Sequence, residues 1–302
     1  MSAYILRIFT FCGVYVILAV GLDLLMGYSG QISVGHASFF AVGAYISAIC
    51  VTKYGMSPIV GTILGMVLSG ILAYVIGRPV LALREYYLAM ATLALNEIII
   101  NLIIGFESIT GGASGIRDIP PYGIFGFSFS TPISQYFLIW GVTLFVIRIV
   151  LWIVNSPLCR ILLAIHSDEI AAQASGIDPR TYKTRIFVIV NVFAALAGSL
   201  YAHSLGYIAP DDFSVATSVN ILVMLYLGGL RTVWGALIGA IFLKLLAEIT
   251  YYFRDYELLI NGAILVSILL FLPEGLVGVI NKLKSRIKAK EVTMRMSHDT
   301  NY

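Results

Sequence analysis

The chain of 302 residues is 59% hydrophobic and 12% charged, with a formal net charge of +3 and a mean hydropathy of +0.93. A soluble domain of this length carries about a quarter charged residues, so the balance excludes an ordinary soluble protein and reads as an all-α polytopic membrane protein. Cys12, Cys50 and Cys159 have no paired spacing, which excludes a disulfide framework or zinc site, and no nucleic-acid partner is expected.

A bilayer core takes about 20 mostly apolar residues per helix. On that rule the apolar runs at 5–20, 34–50, 59–76, 87–104 and 136–154 are spans, followed by 186–205, 214–230, 233–252 and 258–280. The count is therefore about 8–10 transmembrane helices in one domain, 1–302. The first two runs are short and 214–230 opens on polar residues, so re-entrant segments or half-spans are expected among them. A single Arg7 stands at the start of the first run, with no A-x-A pattern at its end. That favours a retained span over a cleaved signal peptide.

Residues 105–134 differ in kind. They are dense in Gly, Ser and Pro, and such backbone cannot lie in hydrocarbon unless protein covers it. An external cap or re-entrant turn is expected. Residues 155–185 form the long polar interval with concentrated basic charge: Arg160, Arg180, Lys183 and Arg185. A short loop rich in Lys and Arg stays in the cytoplasm. With this loop inside, Arg78, Arg84, Arg231 and the basic residues from Lys282 to Arg295 fall on the same side, and Arg7, Lys53, Arg117 and Arg254 on the other. The N-terminus is then outside and the C-terminus inside. The basic, then polar, tail 283–302 would lie on the anionic leaflet.

Within the loop, residues 167–175 read as a short helix that spans nothing. Ser167 suits its N-cap, Asp168 and Glu169 its positive end, and Gly176 its stop. Ala171, Ala172 and Ala174 keep it slim, so another protein could approach it closely. A plain amphipathic connector is the alternative.

The pattern E-x-A-A-x-x-x-G, filled by Glu169, Ala171, Ala172 and Gly176, resembles the coupling loop of ATP-binding-cassette (ABC) importer permeases. The chain as a whole resembles the branched-chain amino-acid permease family of the LivH/LivM type, its LivM branch most of all. The matching stretches include GYSGQISVGHASFFAVGAY (27–45), YYLAMATLALNEI (86–98), TGGASGI (110–116), LAGSLYAHSLGYIAPDDFS (196–214) and ILVMLYLGGLRTVWGALIGA (221–240). The resemblance implies the ABC-importer permease fold in a bacterial inner membrane. It also implies four kinds of partner: the lipid bilayer, a second permease subunit, two ATPase subunits that bind the ATP, and a periplasmic substrate-binding protein. The coupling residues it implies are Asp168, Glu169, Ala171, Ala172 and Gly176.

Two further groups are candidates for the substrate pathway. In the Gly-rich stretch 27–43, Gly35 permits close backbone approach while Gln31 and His36 add polar groups. Packing around a satisfied buried His is the alternative. Glu97 lies near the middle of its span, with Asn101 one turn on and Thr92 and Asn96 close by. A charge at that depth costs about 2.5–3.5 kcal/mol on insertion scales, so it should face the bundle or a wet cavity. Lys244 and Glu248 are four apart on one helix and are expected to pair.

The chain holds no GK dipeptide and hence no Walker A loop, and no HExxH. No cofactor or metal site is expected in it, and no enzyme activity of its own. Branched-chain or related hydrophobic amino acids are the substrates the resemblance implies, with urea or short amides as alternatives. A proton-coupled secondary transporter using Glu97 is another. An intramembrane protease built on Ser114 and His203 is rejected, because Ser114 opens no apolar helix.

Overall fold

The computed structural model describes residues 3–249 apart from 82, 84, 125 and 126, together with a few isolated positions beyond. The expected span at 258–280, the end of the one at 233–252 and the tail at 283–302 lie outside the described residues. Among the described residues the regular structure is helical apart from a short antiparallel hairpin, β1 (Gly123–Ile124) and β2 (Phe127–Ser128).

Helix α1 (Ala3–Asp23) does not stop at residue 20. It runs on through a π-helical turn, Leu24–Tyr28, because the Asp23 carboxylate that would otherwise end a span accepts a hydrogen bond from the Arg231 backbone N–H at 2.8 Å. The long apolar helices are this one, α3 (Pro58–Val80), α4 (Glu85–Gly105), α6 (Pro132–Val154) and α9 (Pro179–Leu205). Between α4 and α6 lies the short helix α5 (Glu107–Thr110). Helices α2 (His36–Thr52), α10 (Val215–Gly228) and α11 (Val233–Ile249) are shorter. At 1.5 Å per residue, α10 covers only about 21 Å, less than a bilayer core.

Helix α9 is the axis of the bundle and packs against α1, α2 and α3. Small residues set the approach: a Cβ on Gly43 would lie 2.1 Å from the Ala195 carbonyl oxygen, and one on Gly198 would lie 2.0 Å from that of Phe40. In a membrane such contacts substitute for the missing hydrophobic drive between helices. Gly43, at the end of the Gly-rich stretch, is thus a packing contact.

Residues 105–134 form a cap on the end of the bundle where α9 finishes. Ile116 and Ile208 pair as an antiparallel bridge, and the Ile119 N–H donates to the Gly206 carbonyl at 3.0 Å. Tyr122 Oη and Thr62 Oγ1 are 2.7 Å apart. The cap's backbone groups thus find partners in protein, as burial near a membrane requires.

Candidate functional site

At the opposite end, 155–185 is more ordered than a loop. Helix α7 (Pro157–Ser167) opens on Pro157 and buries Cys159, Leu162 and Ile165 at three-residue intervals against the bundle. Its Arg160 and His166 stay exposed. Asp168 then breaks the helix with extended backbone (φ −157°, ψ 107°). Its Oδ1 accepts from the N–H groups of Ile170 and Ala171 at 2.9 and 3.0 Å.

The N-cap of α8 (Glu169–Ala174) is therefore Asp168 and not Ser167. A carboxylate satisfies two of the orphan donors and also complements the helix dipole, which a hydroxyl does less well. Gly176 ends the helix as expected, at φ +81°. The Gly176 N–H donates to the Gln173 carbonyl and the Ile177 N–H to that of Ala172, the paired bonds of a Schellman motif. Asp178 and Pro179 then start α9, so Arg180, Lys183 and Arg185 stand on a helix and not in a loop.

The alanines do not all face outward. Ala171 and Ala174 are exposed, whereas Ala172 is 5% exposed and turns into the protein. The large apolar side chain that α8 exposes is Ile170, at 79%. Sequence periodicity could not reveal its exposure, because a six-residue helix carries too little pattern.

Glu169 makes the one salt bridge among the described residues, 2.7 Å from Lys183 Nζ. The backbone carbonyl of the same lysine accepts from Gln31 Nε2 at 3.3 Å. Gln31 is buried and donates also to Ser29 Oγ at 2.8 Å. A cavity of about 180 Å³ lies here, with Gly30, Gln31, Leu88, Glu169 and Lys183 in its wall. Gly30 (φ +71°) lets the His166 ring of α7 approach to where its own Cβ would stand. The segment that carries Glu169 and the Gly-rich stretch at Gly30 and Gln31, far apart in the sequence, thus meet at Lys183.

A second clamp holds this end. Arg231, at φ 60°, donates through Nε to the Gly27 carbonyl at 2.9 Å, and its own carbonyl accepts from Tyr28 Oη at 3.0 Å. With the Asp23 contact, these bonds fasten the α10–α11 turn to the end of α1. An acidic residue within an apolar run was the signal for Asp23; its partner, over 200 residues away, left none.

The expected pathway residues divide. Thr92 Oγ1 accepts from the Val34 N–H at 3.0 Å, and a Cβ on Gly35 would lie 2.1 Å from the Thr92 carbonyl oxygen. Asn96 is fully buried, and its Nδ2 donates to the Phe213 carbonyl at 3.3 Å. This contact brings the turn that precedes α10 to the middle of α4. His36 is buried with neither ring nitrogen in a hydrogen bond, and Gln31 Oε1 and Asn96 Oδ1 are likewise unpartnered.

Glu97 and Asn101 stand on the exposed face of α4, where Asn101 Nδ2 donates to the Glu97 carbonyl at 2.8 Å. Glu97 does not face the interior of this chain. Lys244 and Glu248 do not pair with each other either. Lys244 lies 4.8 Å from the Tyr15 ring centroid and Glu248 accepts from Tyr4, so both turn toward α1.

The His203 ring nitrogens lie 2.8 Å from Ser47 Oγ and 2.7 Å from the Pro120 carbonyl. Ser114 is exposed in a 3₁₀ turn at residues Gly112–Ser114.

Residues 4–269 match the family model described as "Branched-chain amino acid transport system / permease component". The chain belongs to this permease family. The permease is 32% identical to the high-affinity branched-chain amino acid transport system permease protein LivM of Escherichia coli K12, over 87% of this chain and 67% of that one. A probable LivM of Methanocaldococcus jannaschii is 25% identical over 88% and 90%. The LivH protein of Escherichia coli K12 is 26% identical over 87% and 91%. The permease is thus a multi-pass membrane protein of a transport system.

Proposed function

We propose that this permease is the membrane-spanning subunit of an ATP-driven importer in the bacterial inner membrane, with the α7–α8 elbow on the cytoplasmic side. Separate ATPase subunits bind the ATP and press on α8. The Glu169–Lys183 contact carries this reading. It ties an exposed, rigidly capped helix to α9, and α9 packs on α1, α2 and α3. A push on α8 is therefore a push on the axis of the bundle and, through the Lys183 carbonyl, on the Gly-rich segment at Gln31. Such a stroke does work only where ATP binding favours one arrangement of the helices over the other.

A second permease subunit covers the α4 face that carries Glu97 and Asn101. A carboxylate exposed on a helix of this hydropathy needs a polar or wet neighbour in the membrane, and a subunit interface provides one. The substrate crosses along that face. Branched-chain or related hydrophobic amino acids, delivered by a periplasmic binding protein, are the substrate class, from the names of the relatives. A urea or amide substrate is the runner-up.

The decisive experiment is uptake into proteoliposomes that hold this permease, its partner permease and the ATPase subunits, with a loaded binding protein outside. ATP-dependent leucine uptake that Ile170→Asp abolishes is the expected result. Uptake by the permease alone, driven by a pH gradient and lost in Glu97→Gln, would establish the proton-coupled alternative.

A further inference from the structure

A groove of about 990 Å³ lies beside the elbow, between the end of α3, α7 and the start of α9. Arg78, Arg180 and Arg185 line it. Asp178 is the acidic residue in the lining, and its carboxylate is already used by the Thr181 hydroxyl and the Arg180 N–H, which hold it below the usual carboxylate range. Three guanidiniums against one carboxylate leave a surplus of two positive charges. Two of the three are held in place by rings: Arg78 lies 5.3 Å from the Tyr74 centroid and Arg185 lies 5.5 Å from that of Tyr182.

The rest of the lining is mainly apolar, with Tyr74, Pro79, Leu158, Val188 and Ile189 beside the hydroxyls of Thr181 and Thr184. The groove also continues a stripe along α3. Val67, Ile71, Tyr74 and Val75 are exposed at helical spacing, and the stripe ends at Arg78. Cations at the mouth and an apolar track leading away from them match one kind of molecule, an anionic head on a hydrocarbon chain. An acidic segment of another protein would leave the track without a partner.

We propose that this groove binds an anionic phospholipid. Its phosphodiester would sit among Arg78, Arg180 and Arg185, and its acyl chain would lie along the α3 stripe. Planar guanidiniums make paired hydrogen bonds to phosphate oxygens, and basic pockets between helices at a membrane surface attract anionic lipid. The bound lipid would brace α3 against the start of α9, beside the elbow.

The test is a titration of the purified full-length permease in neutral detergent with dioctanoyl phosphatidylglycerol, dioctanoyl phosphatidylcholine or sodium phosphate, read by thermal melting. Phosphatidylglycerol is expected to raise the melting temperature and the other two are not. Arg78→Gln is expected to weaken the response about fivefold and the triple Gln variant on the order of a hundredfold. Arg78→Lys keeps the charge without the planar fork, and should retain part of the response.

An equal response to phosphatidylcholine, or an unchanged response in Arg78→Gln, would overturn the proposal. So would an equal effect of sodium phosphate, which would mark a simple anion site. Release of the lipid when the ATPase subunits assemble would assign the groove to a protein contact instead. The titration involves no transport, so its outcome is independent of the function proposed above.

Discussion

Lys183 Nζ stands 2.7 Å from Glu169 Oε2, while the carbonyl of the same lysine receives the side chain of Gln31. One residue of α9 therefore holds both the elbow helix and the Gly-rich segment that follows α1. The ion pair is partly exposed, with the two side chains 19% and 44% accessible, so it contributes little to global stability, about 0.5 kcal/mol. Its value lies in rigidity.

Glu169→Ala and Lys183→Ala should leave the melting temperature nearly unchanged and lower the amount of substrate moved per ATP hydrolysed. The exchanged pair, Glu169→Lys with Lys183→Glu, should recover part of the loss. A double-mutant cycle on transport stoichiometry measures this, and additive single effects would refute the linkage.

Helix α8 gives a contrast between adjacent alanines. Ala171→Trp adds bulk on an exposed face and should uncouple hydrolysis from transport in a folded protein. Ala172→Trp adds bulk where the side chain is 5% exposed, and should lower stability by about 1–3 kcal/mol. Asp168→Ala removes the cap from both the Ile170 and Ala171 N–H groups and should cost about 1 kcal/mol. Hydrogen exchange at residues 169–177, beside an ATPase assay, separates these outcomes.

The contact of α9 with α2 depends on two glycines. Gly43→Ala and Gly198→Ala would each drive a methyl group into a facing backbone carbonyl and should be poorly tolerated, with a loss of about 1–3 kcal/mol or more. Gly141 of α6 has nothing within 4 Å of the corresponding position. Gly141→Ala should be neutral or stabilising, by up to about 1 kcal/mol. Thermal melts of the three variants in the same detergent decide the matter.

The Asp23 clamp should distinguish an acceptor from a charge. Asp23→Asn keeps an oxygen for the Arg231 N–H and should melt close to the parent. Asp23→Leu leaves that donor without a partner and should lose about 1–3 kcal/mol. Equal melting of the two variants would show that Asp23 contributes through something other than this hydrogen bond.

Periodicity and composition were enough to place most of the apolar helices. A span has to satisfy its own backbone in hydrocarbon and announces itself by length and apolarity. The stop at Gly176 was legible for the same local reason, since only a left-handed residue closes that turn without strain. The N-cap was misplaced by one residue because Ser167 and Asp168 are both good caps. Local preference could not choose between them; the geometry of the turn after α7 did.

What sequence alone determined, then, is a polytopic helical protein with a charged elbow between two apolar halves. Only the tertiary structure decided which way each polar residue of a helix points. It set Thr92 and Asn96 inward and Glu97 and Asn101 outward, turned Lys244 and Glu248 toward α1, and made Gln31, Glu169 and Lys183 a single site. The physical reason is that apolarity on all sides of a membrane helix hides its rotation. Lipid and protein interior are equally apolar, so the sequence carries no amphipathic stripe to mark the buried face. Rotation is fixed instead by small-residue contacts and hydrogen bonds between segments far apart in the chain.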